Sequence, residues 1–282
     1  MRPSDETDGE DLLSLQEAAD LLGVHYMTAY RYVRTGRLDA GRRGNQWYVP
    51  RSSIASLRDA NPPGRKRSGA ANRHRDYAGE LAGFLVEGDE AEAWRLAQNA
   101  LASAFTPEQL YLEVLGPAMR SVGNEWAAGR ISIAEEHQAS TLAYRLIGRL
   151  GPSFTKRGPT RGLLVIGAVA GDRHGLATAL LADPLRGRGF TVADLGADTP
   201  AESFAEIVAH EDRTRAVGIA VFIPNGDEMV AATIAAIHST RDVPVLLGGR
   251  GIDGATHATN LGADAYSETA ADALAWFDTI ER

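Results

Sequence analysis

The sequence predicts a multidomain fold of α and α/β parts, on three observations. From residue 162 onward, short apolar runs alternate with helical runs, the pattern of a doubly wound parallel sheet. Residues 76–150 carry helical periodicity with few β-branched runs. Between these and a small basic front end lies NPPGRKRSGAANRHR (61–75), a linker-like stretch rich in Pro, Gly and Arg with almost no apolar residues. The 282 residues suffice for two or three domains, and 44% hydrophobic residues allows sizeable cores.

The front end spans residues 1–60. LSLQEAADLLGVHYMTAYRYVRTGRL holds two short helical patterns joined at Gly23-Val24. Leu15, Ala18, Ala19 and Leu22 line the first, and the second, from about His25 to Arg34, presents Thr28, Arg31 and Arg34. LDAGRRGNQWYVP then gives two strand-like pieces around GRRGN, a β-wing with Arg42 and Arg43 at its tip. This is helix-turn-helix grammar. Charge agrees with it: residues 12–75 carry a net +8, residues 76–282 a net −12 and residues 1–11 a net −4, giving −8 for the chain. A basic module on an acidic body predicts a polyanionic partner, here a double-stranded DNA operator. Arginines on the second helix read base edges and those on the wing pair with phosphates; the competing reading makes them a solvated face. SLQEAADLLGV, RYVRTGRL and WYVP together resemble the winged helix-turn-helix of the MerR/excisionase class.

Residues 76–152 are expected to form a four-helix bundle, with helices near 76–87, 90–104, 107–128 and 132–150 punctuated by Gly88, Pro107 and Gly129. Ser132 with Glu135 forms a capping box, so the last helix starts at about 132 and Glu136 and His137 fall in its first turns. Trp126 ends the helix before. The short turn brings all three to one end of the bundle; the plainer alternative is a core Trp126 and a wet helix start.

In residues 162–282, strands are expected at 163–169, 190–195, 216–222, 243–247 and 264–267, with helices at 175–187, 201–211, 227–240 and 270–281. Ligands of such sheets sit outside the carboxyl ends of the strands. The loop 170–175, in GDRHGLATALLA, is at one of those ends and holds Asp172 and His174. A carboxylate two residues from an imidazole orients a ligating His and raises its basicity, although a lone loop His is more often structural or exposed. Small residues (Gly175, Ala177, Ala179) open the following helix to a large flat ligand, and Leu247-Gly248-Gly249 leaves room for a buried tail. A Rossmann nucleotide site would need G-x-G-x-x-G, which GAVAGD lacks; a phospho-receiver would need an Asp where AVFIP has none.

Asp172-Arg173-His174-Gly175-Leu176-Ala177, with Gly248-Gly249 further on, resembles the cobalamin-binding domain, whose signature is D/E-x-H-x-x-G followed by a Gly-Gly. The resemblance implies that His174 is the lower cobalt ligand. Ala177 stands where the signature has Gly, and Ala220 where a third-strand Ser is usual. Over nearly the whole chain, the order of parts and the W-x9-E-H spacing of Trp126, Glu136 and His137 resemble the CarH/LitR family of light-responsive, adenosylcobalamin-dependent repressors. That resemblance implies cobalamin, most simply adenosylcobalamin, with Trp126 by the adenosyl group and Ile133, Glu136 and His137 bounding its pocket. It implies a contact between subunits at Arg173 and Asp198, and a homo-oligomer, dimer or tetramer. The family's photoreceptor has a His directly after the Trp; here that position is Ala127.

The expected function is therefore a transcriptional regulator, a repressor controlled by bound cobalamin, and not an enzyme. One alternative is a regulator of the same architecture that is cobalamin-independent or takes another tetrapyrrole. The other is a corrinoid carrier for methyl transfer or a mutase. The absence of Cys excludes thiol catalysis and Cys-ligated metals. No apolar run approaches the length of a membrane span, and the acidic start MRPSDETDGEDLL does not resemble a secretory signal, so a cytoplasmic location is expected.

Overall fold

The computed structural model describes residues 12–22, 29–30, 32–33, 36–43, 46–59, 75–103, 105–156 and 158–280. The chain divides into two compact units, Met1–Phe84 and Leu85–Arg282.

In the first unit, β1 (Leu12–Ser14) leads into α1 (Leu15–Leu22), and β2 (Gly41–Arg43) and β3 (Gln46–Pro50) lead into α2 (Arg51–Asp59). The three strands form one antiparallel sheet in the order β1-β3-β2, with Leu13 opposite Val49 and Arg42 opposite Trp47. The expected wing is thus the β2–β3 hairpin, and β1, absent from the sequence expectation, extends its sheet. A strand of three residues is too short to show a period. Leu13, Leu15, Ala18, Ala19, Ala29, Leu38, Val49 and Ile54 make one buried cluster, which is why Ala18 and Ala19 are small and α2 is held. The division between the units falls inside α3 (Tyr77–Glu87).

The second unit begins with helices. α4 is Glu90–Ser103. α5 is continuous through three segments, α-helical at Pro107–Gln109, π-helical at Leu110–Leu115 and α-helical again at Gly116–Ala127. Sequence periodicity predicts an ordinary helix here. The wider turn has a cause in Pro117, which has no N–H and whose ring would collide with the carbonyl four residues back in a regular helix. The Gly116 N–H reaches the Tyr111 carbonyl, one residue further back than in an α-helix. α6 (Ile133–Leu150) starts at the expected capping box: Ser132 Oγ accepts from the Glu135 N–H at 3.2 Å, and Glu135 Oε2 accepts from the Ser132 N–H at 2.7 Å.

The α/β part has five parallel strands, β4 (Leu163–Ala168), β5 (Thr191–Asp194), β6 (Thr214–Ala220), β7 (Val245–Gly248) and β8 (Ala265–Ser267), in the order β5-β4-β6-β7-β8. Between them run α7 (Leu176–Gly187), α8 (Ala201–His210), α9 (Asp227–Thr240) and α10 (Ala255–Asn260), and α11 (Ala270–Asp278) follows β8. Every residue of β4 is buried. Leu163 and Val165 join Phe204, Val208, Val230 and Ile234 on the face covered by α8 and α9, whereas Leu164 and Ile166 join Ala182, Leu185, Leu274 and Phe277 under α7 and α11. Two covered faces explain why the strands read as continuous apolar runs. The expectation omits α10, whose six residues are too few to show a period. It also runs α11 to 281, while the helix closes at Asp278.

The helical part is fastened to the α/β part through Tyr111. Its hydroxyl is buried and donates to Asp183 Oδ2 on α7 at 2.8 Å, with the Ile147 carbonyl also within 3.2 Å. Arg186 Nη1 donates to the other Asp183 oxygen at 2.9 Å. Among the described residues, no helix is long and apolar enough to cross a membrane.

Candidate functional site

The strand order reverses direction at β4: its successor β5 lies on one side and β6 on the other. In open parallel sheets the crevice at such a reversal, beyond the carboxyl ends, is where ligands bind. The loop carrying Asp172 and His174 emerges from β4 at this point, and Phe222 follows β6 beside it.

Three bonds lock the loop to Asp172, which is fully buried. Oδ1 accepts from the His174 N–H at 3.0 Å and pairs with His174 Nδ1 at 2.7 Å, while Oδ2 accepts from the Phe222 N–H at 2.5 Å. Burial pushes the Asp172 carboxyl upward, but the bonds from His174 and the Phe222 N–H outweigh it and hold the group below the usual carboxylate range. Asp172 is therefore a fixed anion that joins the ends of β4 and β6. The His174 ring leans on the Phe222 ring, with centroids 5.3 Å apart, and its side chain is 51% exposed. With Nδ1 committed to the carboxylate, Nε2 is the nitrogen left to meet a ligand, the arrangement of metal-binding histidines.

The surroundings suit a broad apolar ligand. A Cβ on Gly175 would lie 3.0 Å from the Tyr144 hydroxyl of α6 and one on Gly171 would lie 3.8 Å from Met229 Sδ of α9, so these two side chains flank the loop. Tyr144 and Met229 are two of the exposed large hydrophobic side chains; Trp126, 47% exposed, and Ile133, 60% exposed, are two more. Trp126 is thus not a core residue. Gly129, at φ 67°, turns the chain between α5 and α6, its N–H bonded to the Trp126 carbonyl at 2.8 Å, and a bidentate Arg130–Glu125 pair braces the turn. Ile133, Glu136, Ser140 and Tyr144 follow the i, i+3, i+4 spacing of one α6 face. Glu136 sits between its neighbours, with Oε1 accepting from Ser140 Oγ at 2.7 Å and Oε2 paired with His137 Nδ1 at 2.8 Å. His137 is exposed and lines a shallow groove with Gly88, Glu90, Gln138, Thr141 and Arg145.

Gly248 ends β7, and Gly249 follows with φ 108°. A Cβ on Gly249 would lie 2.2 Å from the Val221 carbonyl oxygen, so the loop after β7 packs directly on the end of β6. Here the protein's own backbone demands glycine. Arg173 and Asp198 are both exposed. Arg42 lies on β2, exposed; Arg43 shares that strand, with only its backbone described; Thr28, Arg31 and Arg34 lie outside the described residues. Sequence reasoning missed Phe222, Tyr144 and Met229. Phe222 had one usable signal, its position just past the third strand at the reversal; Tyr144 and Met229 are ordinary members of helical stripes and carry none.

Three family models match the chain: a helix-turn-helix domain over residues 12–61 and two B12 binding domains, over 78–150 and 162–275. Among curated relatives, the trimethylamine corrinoid protein 1 of Methanosarcina acetivorans is 25% identical over 196 residues, 67% of this chain and 90% of its own length. The dimethylamine corrinoid protein of Methanosarcina barkeri is 28% identical over 202 residues, 70% of this chain and 93% of its own. The solved structure of the monomethylamine corrinoid protein of Methanosarcina barkeri superposes with a TM-score of 0.62 at 23% identity, covering 70% of this chain and 95% of that one, which supports the fold. These matches describe a cobalamin-binding protein that carries a helix-turn-helix domain.

Proposed function

We propose that this protein is a DNA-binding regulator whose sensor holds a cobalamin through His174, of the CarH/LitR type. The observation that carries the cofactor assignment is the Asp172–His174 pair at the sheet reversal, with Nδ1 tied down and the ring half exposed. An imidazole so presented suits cobalt, and Met229, Tyr144, Trp126 and Ile133 offer exposed apolar surface to a corrin and its upper substituent. When bound, adenosylcobalamin supplies a light-labile cobalt–carbon bond, a property of the cofactor. The chain's own part is to supply the axial nitrogen from His174, fix it through Asp172 and Phe222, and bound the upper side with Trp126, Ile133, Glu136 and His137. Residues 1–60 serve as the DNA module, 61–75 as linker, 76–152 as cap and 162–282 as cobalamin domain, with DNA contacts from Thr28, Arg31, Arg34, Arg42 and Arg43. The chain acts as a homo-oligomer, and Arg173 and Asp198 contribute to subunit contacts.

The corrinoid relatives favour a second reading, a carrier for methyl transfer, over the two thirds of the chain that they cover. The match to a helix-turn-helix domain at 12–61 is what favours the regulator. The test is a gel shift with the chain's own promoter, with and without adenosylcobalamin. A regulator binds the operator fragment in preference to random DNA, and the cofactor changes that affinity. Cobalamin uptake with no effect on DNA would leave the carrier reading standing.

A further inference from the structure

The segment 195–199 after β5 is stitched to the segment leaving β4. Leu195 N–H donates to the Ile166 carbonyl at 2.8 Å, Ala168 N–H to the Gly196 carbonyl at 2.8 Å, and Thr199 N–H to the Ala168 carbonyl at 3.0 Å. Val169 and Thr199 close an isolated parallel bridge. At the tip of this seam stands Asp198, one of two non-glycine residues with positive φ among the described residues, at 52°. That conformation disfavours most side chains and is tolerated best by Gly, Asn and Asp. It lets one residue grip the ligand loop twice. The Asp198 N–H donates to the Asp172 carbonyl at 2.7 Å, and its Oδ1 accepts from the Gly171 N–H at 2.6 Å. Gly171 itself has φ 82°, so its peptide is aimed by its own unusual backbone.

We infer that Asp198 is a positioning residue for the cobalt ligand: its clamp on Gly171 and Asp172 fixes the loop from which His174 projects. The inference rests on the cobalamin reading above. It gives Asp198 a role inside its own subunit, separate from any contact between subunits. Asp172 sets the orientation of the ring and Asp198 sets the backbone from which Asp172 acts. Without the Asp198 carboxylate, the 171–174 loop keeps the Asp172 bonds to Phe222 and His174 and the main-chain bond from residue 198 to the Asp172 carbonyl, but the Gly171 N–H loses its acceptor.

Two substitutions separate the roles. Asp198→Asn keeps an oxygen acceptor and a side chain suited to positive φ, but removes the charge that an arginine of another subunit would need. Asp198→Gly adopts the same φ without strain and removes the acceptor, so its effect is not one of backbone misfit. The full-length chain is loaded with hydroxocobalamin and, separately, adenosylcobalamin, at a dilution where all variants have the same size. Absorption spectra report histidine coordination, and displacement into excess free chelating apoprotein reports release. The expected result is wild-type behaviour for Asp198→Asn, with release about tenfold faster and a weakened histidine-bound spectrum for Asp198→Gly, as for other outer partners of metal ligands. Equal spectra and release for Asp198→Gly and wild type, or equal losses in both variants, would overturn the inference. Failure of the underlying reading looks different: wild type and His174→Ala would then give the same spectrum.

Discussion

His174, Asp172 and Phe222 form a chain of dependence, each fixing the next. His174→Ala removes the axial nitrogen, and the expected outcome is loss of the histidine-bound spectrum with most of the cobalamin affinity, read by titration. Asp172→Asn should cost about 10- to 100-fold in cofactor affinity, because an amide cannot accept from both His174 groups and the Phe222 N–H as the carboxylate does. Tyr111→Phe tests a different bond. It leaves buried Asp183 without the phenol donor, and urea unfolding should show a loss of about 1–3 kcal/mol. Asp172 and His174 were legible in the sequence because a short-spaced acid and imidazole after a strand is a local signal. Phe222 was not, and Asp198 was singled out only for the subunit contact that the resemblance implies and not as a partner of this loop, since the two stand 50 and 27 residues from the groups they hold and meet them only through sheet order.

At the level of elements, caps and turns were the most readable features. Ser132 and Glu135 announce the start of α6 within one residue, since a capping box is written in four consecutive positions. Ser132→Ala should therefore destabilise the second unit by about 1 kcal/mol, visible as a lower thermal midpoint. Gly129→Ala should cost a similar amount, about 1–2 kcal/mol, because its φ of 67° is one that alanine resists. The short elements β1 and α10 escaped because three and six residues hold less than two turns or two pleats of pattern. The π segment escaped for another reason: Pro117 is visible, but the response of a helix to it depends on whether neighbours such as Tyr111 have a fixed place to occupy.

On the scale of the whole molecule, the charge contrast between the front module and the body frames the DNA reading. Arg42→Ala should weaken binding to operator and random DNA alike and flatten the salt dependence by about one unit of slope for one lost phosphate contact. Arg31→Ala should instead reduce discrimination between them. Adenosylcobalamin should raise the oligomer size in the dark, measured by light scattering, because a ligand shifts assembly only through unequal affinity for the two states. After illumination, Ala127 has no nitrogen to offer, so no stable two-histidine cobalt spectrum should form through that position. Such a spectrum, if it persists and disappears in His137→Ala, would assign the second nitrogen to His137. The three expected parts differ in composition and period in the sequence, whereas the chain divides into two compact units with the boundary inside α3; the expected assembly rests on the family resemblance alone, because nothing local in a sequence encodes a contact with a second copy.

The wide turn at Leu110–Leu115 has a consequence in angular phase. A regular helix advances about 100° per residue, so were this segment to tighten into one, everything beyond it on α5 would rotate about the axis. With Tyr111, near the start of the segment, held at Asp183, Trp126 would swing away from the end it shares with Ile133. Removing one residue within 110–115 should do the opposite: the helix regularises and Trp126 keeps its azimuth. If Trp126 bounds the cofactor as proposed, the loaded parent and the loaded deletion variant should quench Trp126 fluorescence alike, whereas a variant with an added residue should not.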